Sequence, residues 1–113
     1  MTQTLSAPIF EKFQNAEQLW FWFLYSRGMR NNNFARRGTP TRRPCEVLDV
    51  ESLITKLYLS GRLNDEQLEI MKKFGDKRRA PHQHIWSENR AAYQWVYAMD
   101  ILGSAARERG WIE

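Results

Sequence analysis

The chain has 113 residues, of which 42% are hydrophobic and 27% are charged, and its formal net charge is +4. This length and mixture predict one folded domain with a modest core and exclude a disordered chain. The single cysteine, Cys45, excludes an internal disulfide, and the longest apolar run, residues 19–25, is far shorter than the ~20 residues of a membrane span.

The first residues, MTQTLSAPIF, have neither the basic start nor the apolar stretch of a signal peptide. We therefore expect a cytoplasmic protein without membrane contact. Residues 1–14 are expected to form an N-terminal tail, and residues 15–113 a single helical domain.

The first predicted helix begins after Asn15, which forms a capping-box pattern with Gln18, and ends near residue 27, before Gly28. Its sequence LWFWFLY, residues 19–25, is apolar on every side, so this helix is either buried nearly all round or covered by a partner. Because one small bundle is not expected to bury all five aromatic rings, a homodimer or another partner should cover the remainder. The residues assigned to that partner interface are Trp20, Trp22 and Phe23.

The second helix is predicted to follow Asp49 as its N-cap and to end near residue 59, before the turn at Gly61. Its apolar spacing predicts one buried stripe, formed by Val50, Leu53, Ile54, Leu57 and Tyr58. The third helix has a capping box of Asn64 and Gln67, flanked by Leu63 and Leu68 at the positions of a hydrophobic staple, and is expected to close at Gly75.

The fourth predicted helix is capped by Ser87 and continues to Arg109, before Gly110. Its predicted buried stripe is Ala91, Ala92, Trp95, Val96, Met99, Leu102 and Ala106. Four helices and no sustained period-2 alternation predict an all-α fold: a small bundle of about four helices with a helix-turn-helix-like pair and two basic loops.

Positive charge is concentrated in two connections of this bundle. Segments 27–43 and 72–79 hold eleven of the seventeen basic residues, with Asp76 as their only acid. A basic loop over residues 27–46 and a second one after the third helix would neutralise a phosphate backbone, and a flexible arginine-rich arm can enter a minor groove. The alternative is that both loops are ordinary solvated surface.

Two basic runs in one small domain, next to Asn, Gln and His residues, favour nucleic acid as the partner, and in particular double-stranded DNA. We interpret the chain as a DNA-binding protein with a regulatory or accessory role and no catalytic residue. The residues expected to contact phosphates are Arg30, Arg36, Arg37, Arg42, Arg43, Lys77, Arg78 and Arg79, with Asn89 and Arg90 contacting bases or phosphates. The alternative is a protein-interaction adaptor, acting through the aromatic first helix on a larger transcription complex.

Other chemistry is weakly indicated. His82 and His84, taken with the distant Cys45, match no standard zinc spacing and lack a fourth ligand, so neither a metal nor another cofactor is predicted. The neighbouring Arg43 could lower the pKa of Cys45, but a buried or half-buried thiol is the simpler interpretation. The sequence contains no phosphate-binding glycine loop and no nucleophile-elbow motif.

The segment GRLNDEQLEIMKKFG, residues 61–75, followed by a basic loop and a long helix, resembles the promoter-reading regions of sigma-factor-type and phage late-regulator domains. That resemblance implies a helix-turn-helix whose second helix enters the major groove. Here this helix begins with the acids Asp65, Glu66 and Glu69, which would meet phosphates, so the start of the fourth helix and the basic loop are expected to make the contacts.

About 70 residues from Arg42 onward, beginning RRPCEVLDV, resemble small uncharacterised, mainly alphaproteobacterial helical proteins that share an R-P-C-E motif. The resemblance implies a folded family and supplies no activity.

Overall fold

The computed structural model describes residues 10–32 and 43–113. They form an all-α bundle, as predicted, with the four helices α1 Ala16–Asn32, α2 Val47–Leu59, α3 Asp65–Lys77 and α4 Asn89–Glu108. A 3₁₀ turn, Trp86–Glu88, precedes α4. The only β pairing within these two ranges is an isolated parallel bridge between Phe13 and Ile112. No described helix is both long enough and apolar enough to cross a lipid bilayer.

The capping box at the start of α3 is confirmed. The Asn64 side chain accepts from the backbone N–H of Gln67 at 2.8 Å, and the Gln67 side chain accepts from the Asn64 N–H at 3.0 Å. At the start of α1, Asn15 accepts from the Gln18 N–H at 2.8 Å as predicted. The Gln18 side chain, however, accepts from the N–H of Gln14, one residue earlier than a capping box requires.

Three helix boundaries differ from prediction, each for a local reason. α2 begins after Glu46, because Asp49 caps from within the helix by accepting the Glu46 N–H at 2.8 Å. α1 continues through Gly28, which keeps a negative φ. α3 continues past Gly75 to Lys77, and Arg78 adopts the left-handed conformation predicted for a glycine, with φ 61°.

Ser87 does not cap α4, because it lies inside the 3₁₀ turn. The N-cap position is Glu88, and its carboxylate is held by Arg79. The far end is as predicted, since the helix closes at Gly110 with φ 79°.

α1 is the central element, since it packs against each of the other three helices. Two indole N–H groups fix it in place. The Trp20 indole on α1 donates to the Met71 carbonyl on α3 at 2.8 Å, and the Trp95 indole on α4 donates to the Glu17 carboxylate on α1 at 2.7 Å. The rings of Phe21 and Trp95 also stack, with centroids 5.9 Å apart.

Gly75 sets how closely α1 and α3 approach each other. A Cβ atom at this position would overlap the Leu24 side chain and would lie 2.8 Å from the Trp20 indole nitrogen. The absent side chain therefore makes the space that the Trp20 indole occupies when it bonds to Met71, one turn earlier on α3. This packing role explains why Gly75 lies inside the helix instead of ending it.

The first-helix aromatics are mostly part of the domain core. Trp20 and Phe23 are 5% and 3% exposed, Phe21 and Trp22 are half-buried, and Tyr25 is 55% exposed. Phe13 adds to this core: it is fully buried and packs on Trp22 with ring centroids 5.1 Å apart. The other helices of the same chain therefore cover most of the surface that was assigned to a partner.

The predicted domain boundary at residue 15 leaves out Phe13, which belongs to the domain. The Phe13 N–H donates to the Trp111 carbonyl at 2.9 Å, and its own carbonyl accepts from Glu113 at 2.9 Å. Two residues predicted to be buried are instead exposed: Val96 by 59% and Tyr58 by 41%.

We predict that Gly75→Ala lowers the free energy of unfolding by about 1–3 kcal/mol, because the added methyl group displaces Leu24 and Trp20. Gly28→Ala is the matched control: both glycines lie inside a helix, but nothing lies within 4 Å of a Cβ at position 28. This substitution should stabilise the protein by up to about 1 kcal/mol through helix propensity. Urea unfolding followed by circular dichroism measures both changes, and equal effects at the two positions would contradict the packing role of Gly75.

We also predict that Asn64→Ala destabilises the domain by about 1 kcal/mol, since the N-terminal N–H groups of α3 lose their acceptor. The same unfolding experiment measures this change. Asn64→Asp preserves an acceptor and should retain most of the stability, so a large loss in both variants would point to another cause.

Candidate nucleic-acid interface

The structure describes only part of the predicted basic site. Arg36, Arg37 and Arg42 lie outside the described residues, and so does the side chain of Arg30. Arg43 is described, and it has a structural role: its guanidinium lies 4.4 Å from the centroid of the Phe13 ring, and it donates to the Glu11 carbonyl at 3.1 Å. Arg43 therefore covers the core near the C-terminal end of α4.

Arg79 is held by a carboxylate within the second loop. It donates two hydrogen bonds to Glu88, at 2.9 and 2.7 Å, and the backbone N–H of His82 donates to the same carboxylate at 2.8 Å. The hydrogen bonds from the Arg79 guanidinium, which have the larger effect, and from the His82 N–H lower the pKa of Glu88 from 4.5 to about 2. This arrangement closes the loop between α3 and α4 and uses the charge of Arg79 in doing so.

Arg90 and Asn89 are also engaged. Arg90 donates to both oxygens of Glu66, at 2.8 and 3.0 Å, and so links α4 to α3. This contact lowers the pKa of Glu66. The Asn89 amide donates to the carbonyl of Gln83 at 2.9 Å. Both side chains therefore hold segments of the bundle together, and both remain exposed.

The predicted contacts do not converge on one surface. Arg43 packs on Phe13, which pairs with the segment following α4, whereas Arg79 and Arg90 are bonded at the beginning of α4. α4 has 20 residues, so its two ends are about 30 Å apart. Arg43 and the second basic loop therefore lie at opposite ends of α4, whereas Arg27, in the first basic segment, lines a groove with Lys72 and Asp76 of α3.

The predicted cations that have no carboxylate partner among the described residues are Lys77 and Arg78, and a third one, Lys73, lies beside them. All three are exposed at the C-terminal end of α3. Lys73 and Lys77 approach the buried ring of Phe74, with their Nζ atoms 5.5 and 5.2 Å from its centroid. We call these three residues the basic cluster.

Part of this arrangement is explained by helix stability, since cations are favoured at the negative C-terminal end of a helix. Lys73 was not among the predicted contacts. Its spacing of four residues from Lys77, with Phe74 buried between them, is the signal that could have included it.

Arg78 extends the basic cluster towards α1. Its guanidinium lies 5.7 Å from the ring centroid of the exposed Tyr25. A groove between α1 and α3 begins here and is lined by Gln18, Phe21, Trp22 and Gly75. Tyr25, Arg78 and the carboxylate of Asp76 also line this groove, so it combines aromatic and charged side chains.

No other chemical site is supported by the described residues. Cys45 is buried, and burial followed by the nearby Asp49 carboxylate raises its pKa to about 12, so the thiol stays protonated at neutral pH. His82 and His84 are exposed. Within the described ranges, no three His, Cys, Asp or Glu side chains are grouped so that they could hold a metal ion.

Comparison of the chain with protein-family models, with curated proteins and with solved structures finds no match.

We predict that Glu88→Gln makes the protein less stable at neutral pH and also less sensitive to acid. The pKa of Glu88 is lower in the folded protein, so its contribution is fully present above pH 4.5 and is lost as the pH falls towards 2. Thermal unfolding between pH 2 and 7 should therefore show a smaller pH dependence in the variant. Glu69→Gln, on an exposed face of α3, is the control that should leave the profile unchanged, and a Glu88→Gln profile parallel to the wild type would contradict this role.

Proposed function

We propose that this protein is a non-catalytic nucleic-acid-binding protein that contacts the phosphates of double-stranded DNA in a regulatory or accessory role. The observation that carries the proposal is the basic cluster, where Lys73, Lys77 and Arg78 are exposed without a carboxylate partner among the described residues. Arg36, Arg37 and Arg42 are proposed to add further phosphate contacts from the first loop.

The contrast with neighbouring cations supports this proposal. Arg79 and Arg90 each face a carboxylate with two short hydrogen bonds, and binding a phosphate would require that pair to open. Lys73, Lys77 and Arg78 have no such pair to break, so they can exchange counterions for phosphates directly. Three of the four acids of α3, Asp65, Glu66 and Glu69, lie in its N-terminal half, and the fourth, Asp76, pairs with Lys72 at 3.3 Å. We therefore propose contact through the C-terminal end of this helix.

The backbone at Arg78 gives a second reason. A left-handed residue at a helix C-terminus is usually glycine, and a side chain there costs about 1–2 kcal/mol. Strained positions often coincide with functional residues. The chain retains an arginine where glycine would be more stable, and that arginine is one of the unpaired cations.

The alternative function, an adaptor that binds through the first helix, has less surface to use. Trp20 and Phe23 are in the core, and the accessible aromatic area of α1 is Tyr25 with parts of Phe21 and Trp22. These residues border the groove beside Arg78, so a protein segment bound there would contact the basic cluster as well.

We predict that the triple substitution Lys73→Ala, Lys77→Ala and Arg78→Ala weakens binding to duplex DNA and reduces the salt slope by roughly 0.9 for each lost phosphate contact. Fluorescence anisotropy at several salt concentrations measures both quantities, with duplex RNA and single strands as parallel probes. A triple variant at Arg36, Arg37 and Arg42 should show a similar loss. Arg43 is left intact because it packs on Phe13.

The matched control removes the same charge elsewhere, through Lys56→Ala, Arg62→Ala and Arg107→Ala, all exposed and outside α3. If this control loses as much affinity as the cluster variant, binding depends on net charge and not on the cluster. Absence of measurable affinity for any nucleic acid at low salt would overturn the proposal and favour the adaptor.

We further predict that Arg78→Gly separates stability from binding. Glycine relieves the left-handed backbone, so the free energy of unfolding should rise by up to about 1 kcal/mol, while duplex affinity falls. Arg78→Lys should retain the affinity and the strain. A glycine variant that is both less stable and equally tight in binding would show that Arg78 serves the fold.

A further inference from the structure

The solvent-facing side of α4 carries an aromatic surface that the bundle does not use. Trp86, in the 3₁₀ turn before the helix, is 92% exposed, and Tyr93 and Tyr97 are 55% and 62% exposed. Val96, beside them, is 59% exposed. Large rings left in water at this density are typical of an interaction surface.

These residues follow the spacing of a coiled-coil seam. From Trp86 the exposed positions advance by alternating steps of four and three residues, and we call this set the α4 seam: Trp86, Arg90, Tyr93, Tyr97, Asp100 and Ser104. Within α4 such alternation places the side chains from Arg90 to Ser104 in one row, against which a partner helix can pack. Trp86 precedes α4 in the 3₁₀ turn and is included as the exposed ring at that end. The row lies opposite Trp95, which faces the core.

We propose that the α4 seam binds a second copy of this chain, with the two α4 helices antiparallel about a two-fold axis. In this arrangement each seam residue faces a seam residue of the other copy, and the residue numbers of a facing pair add up to 190. Tyr93 then faces Tyr97 of the other copy, and Arg90 faces its Asp100. Trp86 faces the small Ser104, which leaves room for the indole.

The charges favour a second copy over an unrelated partner. A two-fold interface uses the same patch twice, so the patch must be complementary to itself. Arg90 and Asp100 lie at equal distances on either side of the level of Trp95, which places opposite charges together at both ends of an antiparallel pair. A parallel pair would instead place arginine against arginine and aspartate against aspartate.

The Arg90 guanidinium and the Asp100 carboxylate can both form this contact between copies. Arg90 bonds to Glu66 through Nε and Nη2, which leaves its Nη1 atom without a hydrogen bond to any described residue. Asp100 is exposed and forms no ion pair among the described residues. The bond to Glu66 also holds Arg90 on the seam before the partner arrives, so less side-chain entropy is lost on association.

The size of the seam indicates a weak dimer. The three rings together would remove on the order of 400 Å² per copy from water. That is about half of the area in a standard stable interface, which is roughly 800 Å² per partner. We therefore expect dissociation on the order of micromolar concentrations. This inference does not depend on the proposed nucleic-acid function.

Analytical ultracentrifugation of the full chain between about 1 and 500 µM tests the proposal. The wild type should pass from monomer to dimer within this range, and Tyr93→Ala with Tyr97→Ala should weaken dimerisation by at least ~10-fold. Tyr25→Ala on α1 is the matched control, since Tyr25 is exposed to a similar extent, and it should leave the dimer unchanged. Neither change removes a buried side chain, and thermal unfolding confirms that the variants fold.

Charge reversal tests the antiparallel pairing itself. Asp100→Arg should weaken self-association because it places two arginines together, and Arg90→Glu should do so because it places two carboxylates together. Mixing the two variants in equal amounts should restore dimerisation, since each charge then meets its opposite at both ends of the pair. Thermal unfolding of Arg90→Glu checks that the loss of the Glu66 contact leaves the fold intact.

A wild type that stays monomeric up to 500 µM would overturn the proposal, and the α4 seam would then be a candidate surface for binding a different protein. It would equally be overturned by a dimer that the tyrosine variant does not weaken but Tyr25→Ala does. Failure of the folded charge variants to associate when mixed would exclude the antiparallel register.

Discussion

The close approach of α1 and α3 is the constraint on which the rest of the fold depends. Gly75 has no side chain, so the Trp20 indole can lie against α3 and donate to the Met71 carbonyl at 2.8 Å. With α1 held there, Trp95 on α4 can reach Glu17, and Phe23 is enclosed. A helix that is apolar on all sides becomes stable in a small domain because three other helices pack against it, and the missing methyl group at position 75 sets how closely α3 approaches it.

The basic residues fall into two groups that differ in the contacts they make within the bundle. Arg43, Arg79 and Arg90 donate hydrogen bonds to a carbonyl or a carboxylate, and they hold segments of the bundle together. Lys73, Lys77 and Arg78 face solvent at a helix end that already attracts cations. Counting basic residues along the sequence treats these groups alike, although only the second can bind an anion without first breaking a hydrogen bond to a carbonyl or carboxylate.

Much of the fold could be predicted from the sequence because it is encoded locally. The capping box of Asn64 and Gln67, the turn at Gly61 and the end of α4 at Gly110 depend on residues within a few positions of each other. Gly75 was misread as a helix end because its role depends on Trp20, 55 residues earlier. Val96 was placed in the core because its spacing fits the apolar stripe, whereas the structure turns it towards solvent.

The candidate site was less predictable than the fold, for a related reason. Whether an arginine is available depends on the acid that faces it, and Glu66 lies 24 residues before Arg90. The pairing of Arg79 with Glu88 required a loop to fold back on itself. Lys77 and Arg78 are exposed and form no ion pair among the described residues, because Asp76, the acid beside them in sequence, lies next to Lys72 instead.

The pairing of Phe13 with the segment around Ile112 has a consequence for the order of folding. Phe13 and Ile112 lie almost a whole domain apart in sequence, yet they pair, and Phe13 is fully buried between the segment around Ile112 and α1. During synthesis, α1 emerges early with its apolar sides uncovered, and the residue that completes its enclosure is made about a hundred residues later. While the chain is still being synthesised, the apolar residues 19–25 are therefore open to aggregation. The duration of this exposure is set by the rate of translation and not by the folding rate of the bundle.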